Sequence, residues 1–137
     1  MKIEFVVYGN PKAQKRHRTG KGYNYDPSAS DKADFLALAD KHRPDELITG
    51  GFELQVLFFF PRPKSHYDIK GKVKKRFKDE RHTKKPDTDN LVKFVKDALN
   101  GKFWRDDAQC DELHAYKEYG GKPGTRVHIT YAEGGER

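Results

Sequence analysis

The stretch "KKPDTDNLVKFVKDALNGKFWRDDAQCDEL", residues 84–113, decides the fold because it carries the clearest helix of the chain. Its apolar residues recur at helical spacing, at Leu91, Val92, Val95, Ala98 and Leu99. Thr88 or Asp89 is the predicted N-cap, and Asn100-Gly101 provides a left-handed stop. These signals predict an amphipathic helix whose apolar face packs on a core.

Apolar patterns predict strands on both sides of this helix. Residues 2–8 alternate between apolar and other side chains, which is typical of a half-buried strand. The stretch "FELQVLFFF", residues 52–60, ends without alternation, so its last residues are expected to be buried on both faces. Residues 111–119 and 125–131 are predicted as two further strands, joined through "GGKPG".

A second helix is predicted over residues 31–43, with Ser30 or Asp31 as its cap and Pro44 after its end. Its apolar side is expected to consist of Phe35, Leu36, Leu38 and Ala39. Residues 10–29, which are rich in Lys, Arg, Gly and Tyr, are predicted to form a loop.

The predicted element order is therefore β-α-β-(basic loop)-α-β-β, with the basic loop at about residues 62–86. Such an order predicts an α+β fold in which two main helices pack on a small mixed β-sheet. A chain of 137 residues has the length of one ordinary domain, so residues 1–137 are expected to form a single domain. The basic loop would be either a contact surface or a flexible spacer.

Composition excludes several classes of protein. No apolar run approaches the roughly 20 residues that a membrane-spanning helix needs, and the start "MKIEFVVYGN" lacks the apolar core of a signal peptide. Cys110 is the single cysteine, so no internal disulfide can form, and it is expected to be a small buried hydrophobe. The six histidines are scattered, which argues against structural zinc. We expect a cytoplasmic protein that does not contact a membrane.

The positive charge is concentrated in two segments of a chain whose formal charge is +7. Residues 62–85 contain eleven Lys or Arg against three Asp or Glu, and residues 12–21 contain five Lys or Arg and no acid. Such segments suggest a polyanionic partner, although solvated loops that aid solubility would have the same composition. The candidate DNA contacts from these segments are Lys12, Lys15, Arg16, Arg18, Lys74, Lys75, Arg76, Lys84 and Lys85.

Four acidic residues lie at the two ends of the predicted helix within residues 84–113, and they are Asp87, Asp89, Asp106 and Asp107. By spacing alone, the first pair fits a helix cap and the second pair fits a turn. If the chain folds back after the helix, however, these carboxylates could share a hard cation such as Mg²⁺, which activates water for phosphodiester hydrolysis. Lys93 lies one helical turn after Asp89, where it would either form an ion pair or neutralise a phosphate oxygen.

The block "KKPDTDNLVKFVKDALNG" followed by "WRDDAQ" resembles the signature of the RusA family of Holliday-junction resolvases. In that family an Asp-x-Asp-Asn-Leu-x-Lys block begins a helix that ends in Asp-Ala-Leu, and a bulky aromatic residue and Asp-Asp-x-Gln follow. The match covers residues 86–109, and the strand with Lys117 and "YGGKP" is also similar. The resemblance implies a homodimer, because resolving a four-way junction requires two symmetric cuts.

The resemblance also implies roles for individual residues. Asp87, Asp89 and Asp107 would bind the metal, Lys93 would be the basic catalytic residue, and Asp106 would be a possible additional ligand. The implied cofactor is Mg²⁺, with Mn²⁺ as a substitute, and Lys117 joins the candidate DNA contacts.

The sequence therefore leads to a main hypothesis and two alternatives. The main hypothesis is a Mg²⁺-dependent, dimeric endonuclease that resolves four-way DNA junctions in recombination and repair. The first alternative is a non-catalytic basic DNA-binding module, in which the acids are only caps and turns. The second is a nuclease that acts on another branched or single-stranded nucleic acid.

Overall fold

The computed structural model describes residues 1–20 and 22–132. In chain order its strands and helices are β1 (Lys2–Tyr8), β2 (Arg18–Gly20), β3 (Tyr23–Tyr25), α1 (Ala29–Ala39), β4 (Phe52–Phe60), α2 (Thr88–Leu99), β5 (Cys110–Tyr119) and β6 (Gly124–Tyr131). Within these described ranges, none of the helices has the length and apolar composition that crossing a membrane requires.

Four of the strands form one mixed sheet in the order β1-β6-β4-β5. β6 runs antiparallel to both β1 and β4, whereas β5 runs parallel to β4. A parallel pair needs a crossover connection, and the chain between β4 and β5 supplies it with α2. The sheet and the two main helices confirm the predicted α+β class.

The hydrophobic core joins one face of the sheet to the two helices. α2 contributes all five predicted apolar residues to this core, together with Phe94. Phe94 contacts Phe35 of α1 edge to face, with ring centroids 5.9 Å apart. On α1, Phe35 and Ala39 are buried, but Leu38 is 56% exposed, so its predicted place on the apolar side is wrong.

One prediction about the strands also differs from the structure. The last residues of β4 are not buried on both faces, because burial alternates along the whole strand and Phe59 is only half-buried. β5 and β6 follow each other in the chain but do not pair, since β4 lies between them. The "GGKPG" connection therefore passes across one end of β4.

Both helices begin at positions other than those predicted. The N-cap of α2 is Asp87 rather than Thr88 or Asp89, and its side chain makes no capping hydrogen bond. The N-cap of α1 is Ser28, two residues before the first predicted cap. The Ser28 hydroxyl accepts a hydrogen bond from the backbone N–H of Lys15 instead of capping its own helix.

The predicted loop at residues 10–29 contains a two-stranded antiparallel hairpin, β2–β3. Its strands have three residues each, too few to show alternation, and Gly22 has a positive φ of 76°. The side chains of Tyr23 and Tyr25 are 62% and 42% exposed, with ring centroids 6.0 Å apart. The hairpin thus carries both tyrosines on an open surface.

A hydrogen-bond network centred on Asp26 fixes this region to the helices. Asp26 Oδ1 accepts hydrogen bonds from Gln14 Nε2 and from the backbone N–H of Ser28, at 2.9 and 2.8 Å. The Lys32 ammonium pairs with the Asp26 carboxylate and lies 3.7 Å from Asp97 of α2. The Lys32 hydrogen bond is the largest of the causes that lower the pKa of Asp26 to about 2. α1, α2 and the N-terminal basic segment are therefore held together by buried and half-buried polar contacts.

Candidate active site

A cleft of about 570 Å³ lies between α2 and β5. Its lining residues are Thr88, Asp89, Val92, Lys93, Lys96, Asp97, Asp107, Leu113 and Ala115. Three of the four predicted catalytic residues, Asp89, Lys93 and Asp107, therefore line one cleft. Asp87 and Asp106 are not among its lining residues.

The chain after α2 folds back in a way that brings Asp107 to this cleft. Gly101 has a positive φ of 77°, as the left-handed stop requires, and its N–H donates to the Trp104 carbonyl at 2.8 Å. The Trp104 ring is fully buried and stacks on Phe52 at the start of β4, with centroids 4.4 Å apart. Trp104 Nε1 then donates a 2.7 Å hydrogen bond to Asp107 Oδ1. A core residue thus orients the carboxylate.

Asp106, next to Asp107, has a structural role. Its Oδ1 accepts from the N–H of Ala108 at 2.9 Å, and its own N–H donates to Gln109 Oε1 at 2.6 Å. Gln109 Nε2 in turn donates to the carbonyls of Ile48 and Gly50, both at 2.8 Å. The first acid and the Gln of the "DDAQ" block therefore hold a turn against the entry to β4, while the second acid faces the cleft.

Burial is the main cause that raises the pKa of Asp107 above its usual range. The hydrogen bond from Trp104 and the charge of Lys96 act in the opposite direction, and Asp97 and Asp106 raise the pKa further. A carboxylate in such a place is costly to ionise, and a cation nearby would offset that cost.

The start of α2 presents the other acids to solvent. Asp87, Asp89 and Lys93 are all exposed, and Asp89 lies in the first helical turn. The backbone N–H of Gln14 donates to the Asn90 carbonyl at 3.0 Å, which ties the N-terminal basic segment to this turn. The first helical turn of α2 is therefore attached to the segment that contains Lys12, Lys15 and Arg16.

Lys117 holds the chain just before Asp87. Its half-buried ammonium donates to the carbonyls of Lys84 and Pro86, at 2.7 and 2.9 Å. His82 packs nearby, with its ring 4.3 Å from that of Phe60. The structure thus gives Lys117 two backbone acceptors, and its predicted contact with DNA stays a prediction.

The other predicted DNA contacts lie on the surface. All are exposed except Lys74, which is half-buried. Within residues 1–20 and 22–132, the ion pairs engage Lys32, Arg43 and three histidines, and none of these nine cations. Their charges are therefore available to an anionic partner.

The described residues contain one group of three possible metal ligands whose ligand atoms all lie within 4.8 Å of one another. It consists of Glu53 on β4 with Glu112 and His114 on β5, not of the predicted aspartates. His114 Nε2 lies 2.8 Å from Glu112 Oε2, and this hydrogen bond raises the pKa of His114 and lowers that of Glu112. These three side chains could hold a divalent cation. Spacing could not identify the group, because Glu53 lies on β4, far in the chain from Glu112 and His114 on β5.

Sequence reasoning also missed two residues that shape the cleft. The hydrogen bond from Trp104 to Asp107 was not predicted, although the two residues lie only three positions apart in the sequence. Lys96 lines the cleft, and its charge lowers the pKa of Asp107. In the sequence nothing separated Lys96 from the other charged residues of the helix.

Comparison with known proteins identifies the family of the chain. A model of the family described as "Endodeoxyribonuclease RusA" matches residues 7–130. The protein is therefore of the endodeoxyribonuclease class. The chain belongs to the RusA family. It is also 42% identical over 134 residues to the "Uncharacterized protein YqaN" of Bacillus subtilis (strain 168), covering 93% of this chain and 94% of that relative.

Proposed function

We propose that this protein is a metal-dependent, homodimeric endonuclease that resolves four-way DNA junctions. The observation that carries the proposal is the cleft between α2 and β5, which Asp89, Lys93 and Asp107 line together. Family membership supports cleavage of DNA. The choice of a four-way junction rests on the resemblance of residues 86–109 to the junction-resolving signature.

The donor set of the cleft fits a hard divalent cation. Such ions prefer carboxylate oxygens and water, and Asp89 and Asp107 offer carboxylates beside open solvent. The raised pKa of Asp107 fits as well, because a cation would favour the ionised form. Asp87, Asp89 and Asp107 would hold the ion, and Mg²⁺ bound there would activate water and stabilise charge on the phosphate. In this structure their oxygens do not form a three-ligand group within 4.8 Å.

Each residue of the cleft has a separable task in this proposal. Trp104 keeps the Asp107 carboxylate oriented, so that it need not reorganise when substrate arrives. Lys93 lies one turn from Asp89 and lines the same cleft, where its ammonium can stabilise negative charge on the reacting phosphate or the leaving oxygen. Asp106 acts only by holding the turn that presents Asp107.

The two basic segments would bind the DNA backbone. Both are attached near the start of α2, one through the Gln14–Asn90 hydrogen bond and the other through Lys117. Phosphate contacts of this kind give an affinity that falls as salt rises. Tyr23 and Tyr25 of the β2–β3 hairpin add exposed rings on which bases can stack. We place this activity in the cytoplasm, as part of DNA recombination and repair.

A cleavage assay with a matched pair of variants tests the proposal. Asp89→Asn changes an acid in the first turn of α2, and Asp31→Asn changes an acid in the first turn of α1. With Mg²⁺ and a synthetic four-way junction, Asp89→Asn should lower the cleavage rate by about 10²–10³-fold or more, and Asp31→Asn should not. Linear duplex, flap and single-stranded substrates show whether the junction is preferred.

Wild-type cleavage rates for Asp89→Asn, or equal cleavage in Mg²⁺ and in EDTA, would reject the assignment of the cleft. Unimpaired junction binding without any cleavage by the wild type would favour the non-catalytic DNA-binding module.

A further inference from the structure

A fully exposed isoleucine lies at the tip of the second basic segment. Ile69 has a relative exposure of 102%, whereas the other large exposed hydrophobic residues of the described chain range from 36% to 62%. Single apolar residues on a surface are normal. The surroundings of Ile69 are what distinguish it.

The turn that carries Ile69 is well ordered by its own hydrogen bonds. Asp68 Oδ1 accepts from the backbone N–H groups of Lys70 and Lys72, at 2.8 and 2.9 Å. The Asp68 N–H donates to the Lys72 carbonyl at 2.7 Å, and Gly71, with a positive φ of 80°, donates to the Asp68 carbonyl. Ile69 occupies the second position of this turn. Nothing in this geometry requires a bulky apolar side chain there.

Buried contacts fix the base of the turn to the body of the protein. His66 is only 4% exposed, and its ring stacks on Phe77 with centroids 4.2 Å apart. Arg62 Nη1 and Nη2 donate to the carbonyls of Phe77 and Lys78, at 2.7 and 3.1 Å. The Lys74 N–H donates to the His66 carbonyl at 2.7 Å, and Tyr67 pairs with Val73. The turn that carries Ile69 is thus anchored to the protein at its base.

The segment that carries the tip is strongly positive, with eleven Lys or Arg against three acids in residues 62–85. Lys64, Lys70, Lys72, Lys75 and Arg76 are exposed on the same segment. The one acid of the turn, Asp68, uses its carboxylate to order the backbone. An apolar tip on a basic segment, with Lys70 and Lys72 next to it in the chain, fits a partner with phosphates around an apolar interior. Nucleic acid whose base stack is accessible is such a partner.

We infer that residues 67–73 form a wedge that inserts Ile69 between bases at the crossover of a branched DNA, while Lys70 and Lys72 contact the flanking phosphates. Apolar side chains inserted between base steps unstack them and bend the nucleic acid. A branch point is the place where such insertion is easiest, because stacking is already interrupted. The wedge rests on the proposed function, since it assigns substrate recognition to the same enzyme.

The test measures base unstacking without cleavage. A four-way junction carries a fluorescent adenine analogue beside the crossover, and full-length protein is added in EDTA. Wild-type protein should raise the emission several-fold, Ile69→Ser should lose at least half of that rise, and Ile69→Leu should restore it. Lys72→Ala is the control, because it should weaken affinity while leaving the emission at saturation unchanged. Since Ile69 contacts no part of the core, Ile69→Ser should melt at the wild-type temperature.

Equal emission with wild type and Ile69→Ser at saturation would overturn the wedge. A shift of Ile69→Ser from dimer to monomer in sedimentation would overturn it too, in favour of a contact between subunits. The result is independent of catalysis: a protein that unstacks the junction but never cuts it in Mg²⁺ would reject the proposed nuclease and keep the wedge. If the wild type cuts the junction and Ile69→Ser gives the full emission, the proposed nuclease is kept and the wedge is rejected.

Discussion

Asp106 and Asp107 are neighbours in the chain, but their carboxylates lie in different surroundings. Asp106 accepts a backbone N–H and holds a turn, whereas Asp107 accepts the buried Trp104 indole N–H and lines the cleft. Spacing could not separate the two acids, because both fit a turn. The family resemblance favoured Asp107. The contact that distinguishes it depends on the packing of Trp104 against Phe52, which lies 52 positions earlier in the chain.

Asp107 should lower the stability of the folded protein at neutral pH. Burial raises its pKa, so the folded state binds a proton more readily than the unfolded chain does. The stability from this proton is fully present below the ordinary pKa of 3.8 and is lost as the pH rises through the raised value. Asp107→Asn keeps an oxygen for Trp104 and has no charge to bury. It should be at least as stable as wild type at pH 7, in chemical denaturation followed between pH 4 and pH 8, although it should not cleave.

Asp107→Leu is the comparison for this prediction. It also removes the charge, but it leaves the buried indole N–H of Trp104 without its acceptor, at a cost of about 1–3 kcal/mol. If both variants were destabilised equally, the orientation of Asp107 by Trp104 would be of no consequence.

At the scale of elements, the periodicity of apolar residues predicted the helix and strands that pack on the hydrophobic core. α2 and the four sheet strands have apolar residues at regular spacing, and all of them are present in the structure. The β2–β3 hairpin and the folded part of residues 62–86 have no such spacing. They are ordered by single polar contacts, such as those of Asp26, Arg62 and Asp68, and these depend on partners that composition does not identify.

Lys117 should position the chain before Asp87 rather than act only as one more cation. Lys117→Met removes both hydrogen bonds to the carbonyls of residues 84 and 86, each worth about 1.5–3 kcal/mol for a charged donor. The turnover rate should therefore fall by roughly tenfold or more while KM changes little, and amide exchange at residues 87–91 should become faster.

Lys122→Met is the matched control, because it removes the same charge from an exposed site above the Tyr8 ring. It should leave turnover and exchange unchanged. A rise in KM without faster exchange in Lys117→Met would assign Lys117 to phosphate binding alone.

At the scale of the whole molecule, the sheet order decides which distant segments meet. β4 lies between β6 and β5, so the crossover from β4 to β5 places α2 beside β5 and forms the cleft between them. The same order brings Glu53 to Glu112 and His114. Strand order depends on long-range pairing, and the four strand patterns predicted from the sequence allow several orders. The two groups of possible metal ligands could therefore be compared only in the folded chain.

The location of the bound metal ion is the most direct test of the cleft as the active site. Crystals soaked with Mn²⁺ should show an anomalous difference peak bound by Asp89 and Asp107, with Asp87 as a further ligand, and Asp89→Asn should remove that peak. Mn²⁺ is suited to this because it takes the same oxygen ligands as Mg²⁺. A peak held only by Glu53, Glu112 and His114, with none between α2 and β5, would contradict the proposed active site.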